Sequence, residues 1–166
     1  MRGKLQGSSE IVVSAPPEAV WEVLEDSGAN LPRLWPMVTH CEIDGKERVG
    51  AVRTCSVELM GKTGRTVERC IESVPNRRLA HAVDDDSFGF SRLLSDFWFV
   101  FVLEPVRSGE TRVRVESHFD PRGLRGRIMS ALMIKRKFRE IRETALANLS
   151  LLAAVAPAGA TSVADA

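Results

Sequence analysis

The sequence of 166 residues contains no tyrosine and no long apolar run. Without tyrosine, any binding or catalytic site lacks one common hydroxyl donor. No stretch approaches the roughly eighteen apolar residues that a membrane-spanning helix requires. The N-terminal MRGKLQGSSE also has no apolar segment of the kind found in secretory signals. We therefore expect a cytoplasmic protein, neither secreted nor membrane-spanning.

Cysteine and the common catalytic motifs are also scarce. The three cysteines, Cys41, Cys55 and Cys70, form no CxxC pair and lie in strand-like runs, which favours buried free thiols. The three histidines lie on separate predicted strands without HxxxH spacing, so no metal site is predicted. Neither a GxSxG motif nor a glycine-rich phosphate loop appears, and no cofactor is predicted.

An excess of charge of one sign is missing from the chain as a whole, since 23 Lys and Arg nearly balance 22 Asp and Glu. Such a balance creates no global field that selects nucleic acid or a membrane. Residues 122–143 are the local exception, because this segment contains eight basic residues and only two acidic ones, Glu140 and Glu143. This segment is interpreted either as the solvated face of a helix or as a surface for an anionic membrane, a nucleic acid or an acidic partner.

The elements that are present predict one domain. A strand at 9–14 precedes Pro17, which suits the first turn of a helix. A second short helix or turn carries Leu31, Leu34 and Trp35. Six strands with short links follow, at 38–43, 48–60, 63–74, 78–83, 94–104 and 111–119. This succession is typical of an antiparallel meander.

A helix of about thirty residues, roughly 45 Å long, is predicted after Asp120-Pro121. Its apolar residues recur every three or four positions, at Ile134, Phe138, Ile141, Ala145, Leu149 and Leu152. A helix of this length fits a small domain only if a sheet wraps around it. Residues 1–8 are predicted to be flexible, 9–153 to form the domain, and 154–166 to be a disordered tail.

This order of elements resembles the START/Bet v 1-like superfamily, also called SRPBCC or polyketide cyclase/dehydrase-like. The resemblance covers roughly residues 9–152 and lies in IVVSAPPEAVWEVLED, the WP of RLWP, VGAVR, TVERCIESVPNRRLAHAV and FVLEPVRSGETRVRVESHF. It implies an α+β helix-grip fold, in which a curved seven-stranded antiparallel sheet wraps around a long C-terminal helix. Two short helices follow the first strand. Members of the superfamily bind lipids, hormones and quinones or catalyse cyclisations.

The strand DFWFVFVLE at 96–104 has no alternation of polar and apolar residues. Matching it with the next strand assigns one set of side chains to the inner face, namely Phe97, Phe99, Phe101, Val113 and Val115. Ile134 and Phe138 of the helix would face this set. These residues form either an ordinary core or the wall of a ligand cavity. Trp98 would point outward, on the surface or at a homodimer interface.

Four polar residues are candidates to orient a ligand: Arg53, Arg69, Ser73 and His81. If the face shared by Arg69 and Ser73 is the inner one, Arg69 holds an anionic or carbonyl-bearing ligand or pairs internally. Alternatively, Arg69 reaches the rim or pairs with a carboxylate. The orientation of Arg53 is left open. His81 is expected inside, as a hydrogen-bonding or acid/base group or as a histidine satisfied by a neighbour.

The loop DDDSFGFSR carries Phe88 and Phe90 around a glycine, just before the aromatic strand. Two phenylalanines flanking a glycine suit a mobile lid over the mouth of a cavity. The alternative is a loop that packs its aromatic rings on the sheet.

The leading functional hypothesis is binding of a hydrophobic small molecule, such as a lipid, isoprenoid or polyketide. The alternative, implied by the resemblance, is a polyketide aromatase/cyclase-like enzyme in which Arg69 or His81 polarises a carbonyl or moves a proton. The sequence departs from that subgroup, because Ser73 stands where those cyclases carry an arginine and tyrosine is absent. A third class is an interaction protein that uses the basic C-terminal helix or the Trp98 face.

Overall fold

A computed structural model describes residues 3–59 and 61–155 of the chain. Within them, seven strands form one antiparallel sheet in the order β1-β7-β6-β5-β4-β3-β2. The strands are β1 (Leu5–Val13), β2 (Val38–Ile43), β3 (Val52–Leu59), β4 (Lys62–Val74), β5 (Arg78–Asp86), β6 (Leu94–Arg107) and β7 (Glu110–Pro121). The predicted meander is confirmed, with β1 closing the far edge against β7.

Helices occupy the ends of this sheet and its inner face. They are α1 (Pro17–Glu25), α2 (Ser27–Leu34), α3 (Phe90–Leu93), α4 (Gly123–Met129) and α5 (Lys135–Val155). A π-helical turn, Ser130–Ile134, joins α4 to α5 into one continuous C-terminal helix. The helix-grip fold predicted from the sequence is thereby confirmed. None of the described helices is long and apolar enough to cross a bilayer.

Two predicted boundaries differ from the structure. β1 begins at Leu5, so residues 5–8 of the N-terminal segment lie in the sheet, where Ser8 pairs with Glu116. The stretch LQGSS has little apolar alternation to reveal a strand, and the ladder with β7 holds it in place. The last helix runs to Val155, while residues 1–2 and 156–166, which include most of the predicted tail, lie outside the described residues.

The core lies between the concave face of the sheet and α5. Ala145 and Leu149 are fully buried there, and Val113 and Val115 of β7 are buried within the same cluster. The predicted apolar face of the C-terminal helix is thus confirmed. All three cysteines are buried free thiols, as expected.

The convex face of the sheet carries a smaller apolar cluster. Trp98 points to this side as predicted and stacks on His118, with ring centroids 3.7 Å apart. Val100 and Val102 are buried beside it. A homodimer through this face remains a prediction.

The start of the C-terminal helix is held close to the sheet by a small residue. A Cβ at Gly126 would lie 2.5 Å from the carbonyl oxygen of Leu93, which is too close for any side chain. This contact fixes α4 directly beside α3 and β6. The residues of α3 and α4 therefore border the same region of the domain.

We expect Leu149→Ala to lower the free energy of unfolding by about 2–5 kcal/mol, because it opens a cavity in a fully packed core. Leu151 lies on the same helix but is 69% exposed. Leu151→Ala should change stability by less than about 0.5 kcal/mol. Urea denaturation of both variants checks the comparison, and equal losses would contradict the assigned helix face.

Candidate functional site

A cavity of about 110 Å³ lies between the sheet, α2 and the C-terminal helix. Its wall is mostly apolar and aromatic, which is typical of small-molecule sites. The polar residues that reach it are Arg53, Thr66, Glu68, Asp86, Ser117 and Arg142. They come from β3, β4, β5, β7 and α5, so the cavity is assembled from most of the fold.

β6 contributes two of the six aromatic residues that line the cavity. Phe97 and Phe99 line the cavity, and Phe99 contacts Trp35 edge to face at 6.1 Å between ring centroids. Phe101 meets the same Trp35 at 6.0 Å but belongs to the packed core. Part of the run DFWFVFVLE therefore lies in the cavity wall and part in the core, which were the two interpretations of its inner face.

Three phenylalanines stand where the cavity approaches the surface. Phe90 lies 6.0 Å from Phe88 and 6.2 Å from Phe138, measured between ring centroids. Phe90 and Phe138 also line an apolar surface groove of about 380 Å³, bordered by Met129, Leu132 and Met133. These two rings therefore lie between the cavity and the groove.

The segment that carries Phe90 has a defined local structure. Gly89 adopts a positive φ of 78°, which only glycine adopts readily, and α3 begins directly after it. The Asp86 carboxylate accepts hydrogen bonds from the backbone N–H groups of Phe90 and Ser91, at 2.9 and 3.0 Å. Motion of this loop as a lid stays a prediction.

Arg53 lies on the inner face of β3 and is almost fully buried. Its Nη1 donates to Glu47 at 2.7 Å and to Ser27 at 2.8 Å, while its Nε and Nη2 both donate to one oxygen of Glu68. Although burial alone would lower the pKa of Arg53, the two carboxylates raise it above its usual value. The orientation that the sequence left open is therefore inward, with the charge fully paired.

Glu47 is the centre of this buried cluster and was not singled out from the sequence. Burial alone would raise its pKa, but the hydrogen bond from His81 and the charge of Arg53 outweigh burial and lower the pKa to about 2. Ser27 also donates to this carboxylate. Glu47 sits in an irregular segment between β2 and β3, where no periodicity marks a buried position.

His81 is buried behind the cavity wall. Its Nε2 lies 2.8 Å from Glu47, and its ring stacks on Phe99 with centroids 5.6 Å apart. Burial, reinforced by the charge of Arg53, lowers the pKa of His81, so the imidazole is neutral at pH 7. Because ionised Glu47 can only accept, we assign the proton to Nε2. Nε2 is thus satisfied by a neighbour, one of the roles considered from the sequence, while the buried Nδ1 has no hydrogen-bond partner among the described residues.

The side chains of Glu47, Cys70 and His81 bring three potential metal ligands within 4.8 Å of one another. Two features of the cluster oppose a bound cation. Arg53 already places a positive charge 2.7 Å from Glu47. Burial and the nearby Glu47 raise the pKa of Cys70 to about 11, which keeps its thiol protonated, whereas metals bind the thiolate.

Arg69 takes the outward one of its two proposed orientations. It pairs with Asp84 at 2.7 Å, and its side chain is 49% exposed. On this part of β4, Thr66 and Glu68 line the cavity and Cys70 is buried, so the face carrying Arg69 is the outer one. A register shift between Cys70 and Glu72, which the sequence does not mark, changes the alternation further along the strand.

The other predicted site residues divide between the cavity and its surroundings. Those that line the cavity are Arg53, Phe88, Phe90, Phe97, Phe99, Val115 and Phe138. Phe101 and Val113 pack in the core, and Ile134 packs beside Leu94 and Phe119. Ser73 lies opposite Leu79 in the ladder and, like Arg69 and His81, is not part of the cavity lining.

Arg142 reaches the cavity from α5 and was counted from the sequence among the solvated basic residues. Its spacing from Phe138 and Leu149 puts it on the apolar face of the helix, four residues after one and seven before the other. That spacing was the available signal. The guanidinium donates to the hydroxyls of Ser117 at 3.1 Å and Ser9 at 3.4 Å.

Comparisons with known proteins agree with this architecture. Residues 4–153 match the family described as polyketide cyclase / dehydrase and lipid transport. A protein from Thermus thermophilus aligns with a TM-score of 0.72 and 20% identity, over 90% of this chain and 97% of the other. No curated protein is similar enough in sequence to count as a relative.

Two enzymes are among the similar structures. Norcoclaurine synthase from Thalictrum flavum has a TM-score of 0.70 at 15% identity, over 91% of this chain and 93% of the other. The ZhuI aromatase/cyclase from Streptomyces sp. R1128 has a TM-score of 0.65 at 18% identity, over 89% and 92%. At these identities the likeness establishes the fold alone.

We expect the protein to lose stability as the pH falls from 6.5 towards 2. His81 and Glu47 both have lowered pKa values in the folded state, so the unfolded chain binds protons first. For Glu47, a fall from 4.5 to about 2 corresponds to about 3 kcal/mol, present above pH 4.5 and lost as the pH approaches 2. Urea denaturation between pH 7 and 3 measures the slope.

Glu47→Gln should reduce that slope below pH 4.5 and lower stability at pH 7, because it removes a partner from a buried ion cluster. Asp84→Asn is the matched control, since it breaks the pair with Arg69 at the surface and should leave the slope nearly unchanged. An equal slope in the wild type and Glu47→Gln would contradict the assigned ionisation.

Proposed function

The chain belongs to the polyketide cyclase / dehydrase and lipid transport family, and on that premise we propose that it binds a hydrophobic small molecule in the cavity between sheet and C-terminal helix. The ligand is lipid-, isoprenoid- or polyketide-like. The observation that carries the proposal is the cavity wall, where Phe97, Phe99 and Phe138 leave a space instead of closing into a core. Phe97 and Phe138 stack at 5.2 Å between centroids and form one flat side.

The size of the cavity bears on how a ligand enters. At about 110 Å³ it is smaller than the roughly 300 Å³ of typical ligand pockets and near the size of cavities that hold benzene. A larger ligand therefore requires Phe90 and Phe138 to move aside. Their displacement would join the cavity to the apolar groove next to it, and the Phe88–Phe90 loop would then act as the lid.

The polar cluster around Arg53 supports binding more than turnover. Every nitrogen of this guanidinium already donates to Glu47, Glu68 or Ser27. These bonds use four of its five N–H groups, so the network stabilises the wall and leaves at most one N–H, on Nη2, for a ligand. The cyclase alternative assigned chemistry to Arg69 or His81, which lie outside the cavity lining, so binding is the better supported function.

Native mass spectrometry of the purified protein, followed by solvent extraction, tests the proposal directly. A stoichiometric hydrophobic species would support it and identify the ligand class. A protein that carries nothing and gains no thermal stability from fatty acids, isoprenoid alcohols or aromatic polyketides would contradict it.

We expect Thr66→Trp to block binding, because the indole would extend from β4 into the cavity, at the cost of one hydrogen bond from Thr66 to Glu68. Ligand affinity should fall at least tenfold while the melting temperature stays within a few degrees. Thr63→Trp on the same strand is the control, since Thr63 is exposed and points the other way. Equal affinity of both variants, measured by calorimetry, would place the ligand elsewhere.

A second candidate function, association with an anionic membrane surface, is favoured by the start of the C-terminal helix. An apolar stripe formed by Leu124, Ile128, Leu132 and Met133 is exposed to solvent, with Leu124 and Leu132 more than 70% exposed. Between 121 and 139 the sequence holds seven basic residues and no acidic one. Exposed apolar residues surrounded by positive charge match the interface of an anionic bilayer.

The stripe also borders the groove beside Phe90 and Phe138. A membrane bound there would face the entrance through which an apolar ligand reaches the cavity. The first acidic residue after this basic segment is Glu140, which pairs with Arg136 and Lys137.

We expect the protein to co-sediment with vesicles containing phosphatidylglycerol and not with pure phosphatidylcholine, and binding should weaken as salt is raised. The double variant Leu124→Ser, Leu132→Ser should bind at least fivefold more weakly, whereas Leu151→Ser, at the exposed far end of the helix, should bind like the wild type. Equal binding to neutral vesicles, or none to anionic ones, would contradict this function.

A further inference from the structure

Arg142 brings a buried positive charge to the cavity wall. The side chain projects from α5 towards the sheet, and the residue is only 5% exposed. Its hydrogen bonds go to two hydroxyls, Nη1 to Ser117 and Nε to Ser9. Burial lowers the pKa of Arg142, yet a guanidinium stays protonated in proteins.

This charge differs from the other buried arginine in having no counter-ion. Within residues 3–59 and 61–155, no carboxylate oxygen lies within 4.0 Å of the Arg142 guanidinium, whereas Arg53 has two carboxylates. A buried charge without a counter-ion destabilises the folded protein, and an anionic ligand bound beside it would relieve that cost.

The surrounding backbone makes room for the guanidinium. A Cβ at Gly7 would lie 2.9 Å from Nη2 of Arg142, so a larger residue there would push the guanidinium from its present position. The ladder between β1 and β7 shifts register at this point, between Leu5 and Gly7. The hydroxyl of Ser117, which lines the cavity, can rotate, so it can accept from Arg142 and donate to a bound group.

We infer that the ligand is an amphipathic monocarboxylate whose anionic head binds Arg142, while its apolar body lies against Phe97, Phe99 and Phe138. The inference rests on the proposed function and specifies its ligand class. A single guanidinium matches a carboxylate through two parallel hydrogen bonds.

The test compares octanoate with octan-1-ol, which share a chain and differ in charge, by isothermal titration calorimetry at pH 7.5. Wild-type protein should bind octanoate at least tenfold more tightly than octan-1-ol. Arg142→Met should remove that preference by weakening octanoate binding at least tenfold, with octan-1-ol affected less than threefold. Arg139→Met is the control, because Arg139 is exposed on the same helix and should keep the preference.

A second variant and a spectroscopic measurement guard against a misfolded Arg142→Met. Gly7→Ala keeps the arginine but crowds its Nη2, and should also reduce the preference for octanoate. In the wild type, the Nε–H resonance of Arg142 should shift on adding octanoate and stay in place with octan-1-ol.

Three outcomes would overturn the inference. If the wild type binds both probes equally, the proposed function still holds, but the ligand does not require an anionic head. A preference that survives in both Arg142→Met and Gly7→Ala places the carboxylate elsewhere, on the basic surface of the helix. Binding of neither probe counts against the inference and against the proposed function together.

Discussion

The buried guanidinium of Arg53 ties together elements that the sheet alone would leave separate. It joins β3 to β4 through Glu68, and to the segment before β3 through Glu47. Through Ser27 it reaches the start of α2, and Glu47 continues the network to His81 on β5. Desolvating these charges is unfavourable, so the cluster is stable only when every partner is in place. It therefore fixes how the short helices cover one end of the curved sheet.

The cavity follows from that arrangement. A sheet curved around one helix contacts it along a line, and the remaining space has to be filled by side chains. At the α1 end, Leu149 and Ala145 fill it completely. Further along α5, aromatic rings of β6, β7 and α5 meet at 5.2 and 5.8 Å between centroids but do not close the space. The unfilled part lies beside the Arg53 cluster, of which Arg53 and Glu68 form part of the wall.

Much of this architecture could be predicted from the sequence, because it depends on local patterns. Alternation in TRVRVESHF and the spacing from Ile134 to Leu152 identify the inner faces of β7 and the C-terminal helix. The partners of the buried charges could not be predicted in the same way. Glu47 lies in a segment without periodicity, and the shift near Cys70 alters the alternation on β4. Arg142 has the spacing of a core residue, but it lies in a helix rich in basic residues. The composition of that helix predicted a solvated side chain.

The two buried arginines show why such residues have to be judged by their partners. Around Arg53, counting formal charges, two carboxylates, one guanidinium and a neutral His81 give −1, from −2 and +1. Arg142 contributes +1 with hydroxyls alone around it. In a medium of low dielectric constant, both charges act strongly on any ion placed in the same cavity. A carboxylate would be repelled by the first group and attracted by the second, so an amphipathic anion has one favoured orientation. A neutral ligand would experience no such bias, and the difference between the two groups would then have no use.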